Sequence, residues 1–138
     1  IVGSRPTAQI QQLAEVEGVS VTGFVDDVRT YLESATISVA PLRIARGIQN
    51  KVLEAMSSGL PVVGTTSATQ GVEGQAGRDF LLADSVEDQA AAILGLLHDP
   101  AEAQALGQRA RQFVEQNYAW AETLKPLDGI LDQLSQHS

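Results

Sequence analysis

The sequence predicts an α/β domain with a mostly parallel sheet and a helical C-terminus. Three observations carry that expectation. Apolar strand-like runs alternate with segments of helical spacing as far as residue 83, an order that implies parallel pairing with right-handed crossovers. Residues 36–65 read as one complete strand, loop, helix, strand unit. After residue 84, two strong helix-start signals follow each other with no strand between them.

Taken in order, Ile1-Val2-Gly3 joins two strand-like residues to a glycine and leaves no room for a preceding turn, so the chain is expected to begin inside a sheet. Thr7 to Val16 has helical spacing at Ile10, Leu13, Ala14 and Val16, and Gly18 ends it. Val19 to Gly23 alternates as a short strand. Asp26 or Asp27 is expected to cap a helix through Ser34, whose apolar side is Val28, Tyr31, Leu32 and Ala35. Thr36 to Pro41 forms an apolar strand, Arg43 to Gln49 a loop, and a helix runs from about Lys51 with Asn50 as N-cap and Gly59 at its end. A buried strand follows at Pro61 to Thr65. Thr66 to Gly77, rich in Thr, Gly, Ser and Gln, reads as a loop with at most one helical turn, and Phe80 to Ala83 as a last short strand. Ser85 with Asp88 forms a capping pair for a helix through Leu97. Asp99-Pro100-Ala101-Glu102 supplies a cap residue, a proline at the first helical position and an acid in the first turn, starting a helix that reaches about Tyr118. Another is expected from Trp120, with a break at Pro126. Tyr118 and Trp120 read as packing anchors between these last two helices.

The 138 residues suffice for one domain with a sizeable core, and a hydrophobic content of 43% is ordinary for a globular chain. With no cysteine, neither a disulfide nor a thiolate metal site can form. His98 sits at a helix end where it complements the dipole, and with only His137 beside it no metal set is expected. No apolar run approaches the roughly 20 residues that span a bilayer, and no signal segment opens the chain, so the expected compartment is the cytoplasm. The net charge of −8 argues against a nucleic-acid surface. Its distribution is uneven: residues 1–54 carry 5 basic and 6 acidic side chains, residues 55–138 carry 4 and 11. Around Gly47, the cations Arg43, Arg46 and Lys51 face only Glu54, a local basic patch that suits a small phosphate ligand.

The segment Gly47-Ile48-Gln49-Asn50-Lys51-Val52-Leu53-Glu54-Ala55-Met56 carries the chemistry. A helix N-terminus leaves main-chain N–H groups unpaired and carries partial positive charge, which favours an anion. Glu54 projects from the same side as Asn50, one turn further on. A carboxylate there accepts hydrogen bonds, and the two donors of a ribose or sugar diol match it. The competing reading makes Glu54 a solvated helix residue and Gly47 to Asn50 an ordinary loop and cap. Gly3 and Arg5 follow the first strand, and ligands of open α/β sheets sit at the carboxyl ends of strands.

These residues carry a resemblance. The pattern is similar to the donor-binding segment of retaining glycosyltransferases of the two-Rossmann-domain (GT-B) type, family 4 or group 1, whose members show Glu-Gly-Phe-Gly, a gap, and then Glu-Ala-Met-Ala-x-Gly-x-Pro-Val-Val. Glu54 and Gly47 match, whereas Arg46 stands where the family has its first glutamate. A subgroup associated with exosortase and exopolysaccharide systems carries the string found here as Ala40 through Met56, and the chain resembles it almost from end to end.

The resemblance implies a Rossmann-like, C-terminal donor-binding domain that is a fragment of a two-domain transferase. The partner N-terminal acceptor domain and this domain's own first strand are then missing, and the chain either rearranges its sheet or borrows a strand in a strand-exchange dimer. Implied too is a nucleotide diphosphate sugar as donor substrate, with no further cofactor and no metal, and a saccharide or lipid-linked acceptor. The full protein would act in the cytoplasm or at the inner face of a membrane. Gly47, Ile48, Gln49 and Asn50 would hold the diphosphate and sugar through main-chain N–H groups. Lys51 would neutralise the leaving diphosphate, against the alternative of a surface lysine at a site where the dipole disfavours it. Arg46 cannot accept from sugar hydroxyls and would grip phosphate or a donor carboxylate, as would Arg43. Phe24 and Val25 follow the second strand, where the family reads the base through its main chain; packing is the alternative. A fragment of this kind would bind nucleotide and catalyse nothing alone.

A different class stays open beside this one, a non-catalytic nucleotide-sensing or receiver-like module. A receiver needs an acidic cluster at strand ends. Asp26 and Asp27 fall too far into their loop, and the strand at 36–41 ends in Ala-Pro-Leu.

Overall fold

The computed structural model describes residues 1–118. The helix expected from Trp120, its break at Pro126, and His137 lie outside the described residues. The chain divides into two compact units, one of residues 1–35 and one beginning at Thr36.

In the first unit, α1 (Ala8–Gln12) opens on Thr7, whose hydroxyl accepts from Ile10 N, and tightens into a 3-10 turn at Leu13–Glu15. The helix α2 (Arg29–Ser34) is preceded by Val28, with no side chain on its cap position. Asp27 serves the same end from one residue earlier: its Oδ1 accepts from Arg29 N at 2.9 Å, and the guanidinium of Arg29 closes on both carboxylate oxygens. The strands expected at 1–3 and 19–23 do not form. Ile1 N donates to Ser20 O at 2.6 Å and Thr22 N to Ile1 O at 3.0 Å, the start of a parallel ladder. Gly23 at φ +70° turns the backbone out of the extended region, Gly3 N finds Gly23 O instead, and the ladder stops.

The second unit holds a three-stranded, fully parallel sheet in the order β1 (Ser38–Ala40), β2 (Val62–Gly64), β3 (Leu81–Leu82). Val39 pairs with Val63, and Val63 with Leu81. Every residue of the central strand is buried, as its continuous apolar run requires. The expected strands at 36–41, 61–65 and 80–83 are all present, each shortened at its ends. Between β1 and β2 runs α3 (Asn50–Ser57), with Val52, Ala55 and Met56 buried. The single helical turn expected after β2 is α4 (Thr66–Thr69), and Asp79, nearly inaccessible, ties the following loop by accepting from Gln75 N at 2.8 Å and Arg78 Nε at 3.2 Å.

Two helices close the unit as their caps predict. In α5 (Val86–His98) the Ser85 hydroxyl accepts from Asp88 N, and in α6 (Pro100–Asn117) the Asp99 carboxylate accepts from Glu102 N at 3.1 Å. One core cluster joins Val63 of β2, Ala83, Leu96 of α5, and Ala103 and Leu106 of α6, with Ile37, Leu81, Ala92 and Ile93 packed against it. Tyr118 closes α6 by stacking edge-on to Phe113 at 5.9 Å and accepting from Glu73 N at 3.3 Å. The close approach of α3 and α6 rests on two glycines. Gly59 takes φ +77° just past the end of α3, and Gly107 on α6 has no room for a Cβ against the Gly59 carbonyl. No helix among the described residues is long and apolar enough to cross a membrane.

Candidate functional site

The carboxyl ends of β1 and β2 lie side by side in a parallel sheet, and the loop from Pro41 to Gln49 leaves the first of them. That loop is exposed over most of its length: Arg43, Ile44, Arg46, Gly47 and Ile48 all face solvent. Gly47 adopts φ +68° and a Cβ added there would meet nothing, so the loop is open on its outer side.

The expected cap is one residue out of place. Gln49, at φ −87° and ψ 103°, is the N-cap of α3, and Asn50 is its first helical residue. Gln49 offers its own helix no side-chain bond; its Nε2 donates back to Arg46 O at 3.2 Å and its carbonyl accepts from Val52 N. With the side-chain cap absent, the consecutive main-chain N–H groups from Gly47 to Lys51 donate to no acceptor among the described residues. These are the orphan donors that a helix N-terminus presents to an anion.

On α3, Val52, Ala55 and Met56 turn inward, which leaves Asn50, Lys51 and Glu54 on the exposed side. The main-chain oxygen of Glu54 accepts from Ser57 Oγ at 2.8 Å and Ser58 Oγ at 2.9 Å, while its carboxylate accepts from no donor among the described residues. Arg43, Arg46 and Lys51 likewise make no ion pair among the described residues. A row of free amides, three uncompensated cations and one unengaged carboxylate a turn away therefore share one short stretch of chain. Chemically it offers an anion cradle next to a hydroxyl acceptor.

Gly3, Arg5 and Phe24 belong to the unit of residues 1–35. Gly3 N donates to Gly23 O at 3.3 Å, which brings Gly3 beside the residue preceding Phe24. Arg5 has φ +53°, alone among the described non-glycine residues in that region, a strained conformation of the kind that clusters at ligand sites. Phe24 is 75% exposed, so the packing alternative does not account for it.

Sequence reasoning missed what supports the loop. Thr65, buried at the carboxyl end of β2, donates through Oγ1 to Leu42 O, and Ser67 Oγ donates to Arg43 O at 3.0 Å. Gly71 comes against the back of Gly47 and Ile48. The available signal was the hydroxyl run Thr65-Thr66-Ser67 directly after a buried parallel strand. This support is itself anchored: Asp84, just past β3, accepts from Thr66 N and Thr66 Oγ1, each at 2.7 Å. Those two bonds, the main-chain one foremost, hold the Asp84 carboxyl below the usual aspartate range. A depressed folded-state value means that the stabilisation is present above the unfolded value of about 3.9 and is lost as pH falls through the lower, folded one. The melting temperature of Asp84→Asn is accordingly expected to lie below wild type at pH 7, with the gap closing as pH drops below about 4. A gap independent of pH would remove the carboxylate from this account.

Comparison with solved structures gives the same architecture. A sucrose-phosphate synthase of Thermosynechococcus elongatus superposes with a TM-score of 0.82 at 24% identity over 99% of this chain and 38% of that one. HepE of Anabaena, crystallised with UDP, gives 0.77 at 18% identity over 98% and 40%. The C-terminal domain of a glycosyl transferase group 1 family protein (LpcC) of Francisella tularensis gives 0.68 at 18% over 80% and 60%. The chain thus spans about two fifths of the first two proteins, and its α/β fold is that of a GT-B C-terminal domain. No curated protein matches it at a significant level. The family model for glycosyl transferases group 1 matches residues 1–99, well over half of the sequence, and the chain therefore belongs to that family.

Proposed function

We propose that this chain is the donor-binding part of a retaining glycosyltransferase, which moves a sugar from a nucleotide diphosphate sugar to a polysaccharide or lipid-linked acceptor of an exopolysaccharide system. The observation that carries the reading is the run of unengaged N–H groups from Gly47 to Lys51, followed one turn on by the free carboxylate of Glu54. The amides of Gly47, Ile48, Gln49 and Asn50 bind the diphosphate, and Glu54 accepts from hydroxyls of the ribose or the donor sugar. Lys51 neutralises the charge that grows on the leaving oxygen as the glycosidic bond breaks. Arg46 and Arg43 grip phosphate or a carboxylate of the donor. Anabaena HepE, similar in fold, was crystallised with UDP and with UDP and glucose, which supports a nucleotide donor here.

In this scheme positioning and leaving-group stabilisation carry catalysis, with no protein nucleophile. The acceptor and its pocket come from an N-terminal domain, so the isolated chain binds donor without transferring sugar.

Calorimetric titration with UDP, GDP and their sugars tests the proposal. Saturable binding of one nucleotide, weakening as salt is raised because the cations are exposed, is the expected result. Absence of binding to every member of the panel contradicts it.

A further inference from the structure

We propose that Gly71 is a positioning residue for the donor site: its missing side chain lets the segment behind the loop set where the Gly47 and Ile48 amides point. The inference rests on the nucleotide-binding reading above. A Cβ at Gly71 would lie 2.8 Å from both Cα and N of Ile48 and 2.9 Å from the carbonyl carbon of Gly47. These are main-chain atoms, so no rotamer change relieves the overlap. Gly71 is not among the glycines with positive φ, so alanine can take its conformation, and the requirement is for space alone.

The two sides of the contact differ in stiffness. Behind the loop, Thr65, Thr69 and Val72 are buried, Thr69 N donates to Thr65 O at 3.1 Å, and Val72 N to Thr69 O at 2.9 Å. In front, Gly47 and Ile48 are exposed, and their N–H groups are held by nothing among the described residues. Among the described residues, the segment behind the loop hydrogen-bonds to it only at its start, where Thr65 and Ser67 hold Leu42 and Arg43. An added methyl at Gly71 therefore displaces Gly47 and Ile48 and leaves the support in place. Hydrogen bonds to a charged acceptor depend steeply on geometry, so the displacement weakens diphosphate binding by about tenfold or more.

The test uses the 138-residue chain, titrated with whichever of UDP and GDP the wild type binds. Gly71→Ala is expected to bind it at least about tenfold more weakly, with shifted amide resonances for Gly47 and Ile48. Val72→Ala removes buried methyls next door and places nothing behind Ile48, so it is expected to lose stability and keep affinity within about twofold. Wild-type affinity in Gly71→Ala, or an equal loss in Val72→Ala, overturns the proposal while leaving the nucleotide site standing. No binding by the wild type overturns the site itself, and the proposal with it. Should Gly71→Ala not fold, the wild-type spectrum decides: on titration the Gly71 amide must shift together with those of Gly47 and Ile48, and a stationary Gly71 resonance refutes the coupling.

Discussion

Gly107→Ala is expected to destabilise the chain by about 3 kcal/mol, the upper end of what overpacking a core costs. For a chain of this size the melting temperature should fall by roughly 10 °C. The sign is the informative part, because a glycine inside a helix is worse than alanine by about 1 kcal/mol. At Gly107 that gain is overridden: the new Cβ would fall inside the Gly59 carbonyl oxygen and press on the carbonyl carbons of Gly59 and Leu60. Both are main chain, and α6 would have to lift from α3, against which it packs. Gly95 on α5 supplies the contrast. A Cβ there meets nothing, so Gly95→Ala is expected to raise stability by up to about 1 kcal/mol. Thermal or urea melts of the two variants should move in opposite directions, and a stabilised Gly107→Ala would mean that the helices do not meet as described.

Glu54→Ala is expected to weaken nucleotide binding by about 10- to 100-fold, since a hydrogen bond to an ionised group is worth about 1.5–3 kcal/mol. Stability should hardly change, within about 0.5 kcal/mol, because the carboxylate faces solvent and alanine is the better helix former. Glu54→Gln retains one acceptor oxygen and should fall between the two. Titration of the three proteins, with melts run alongside, separates the readings of this residue. Equal affinity in all three would return Glu54 to the role of a solvated helix residue.

Much of the fold was legible because its signals are local. The caps at Ser85 and Asp99 each need only a side chain and an amide three residues on, and both bonds form as read. The alternation of strands and helices from Thr36 onward likewise gave the parallel order. The first 23 residues were harder: their apolar pattern starts a ladder, and one glycine at positive φ ends it. Asn50 was displaced as cap because the backbone is already helical at Asn50 and leaves the helical region at Gln49, a loop geometry that no propensity encodes. The support behind the loop was invisible for a related reason. Ser67 reaches Arg43 across 24 residues, and Gly71 meets Ile48 through space that only the folded chain defines. The residues proposed to carry the chemistry lie in one segment of the sequence, whereas what holds that segment required the tertiary structure.

The central claim is that main-chain N–H groups from Gly47 to Asn50 hold the diphosphate of the donor. A crystal structure of this chain with the nucleoside diphosphate it binds tests that most directly. The account predicts phosphate oxygens within about 3.2 Å of those amide nitrogens, with the ribose against the Glu54 carboxylate. A fully occupied nucleotide elsewhere on the chain, with those amides still facing solvent, would contradict it.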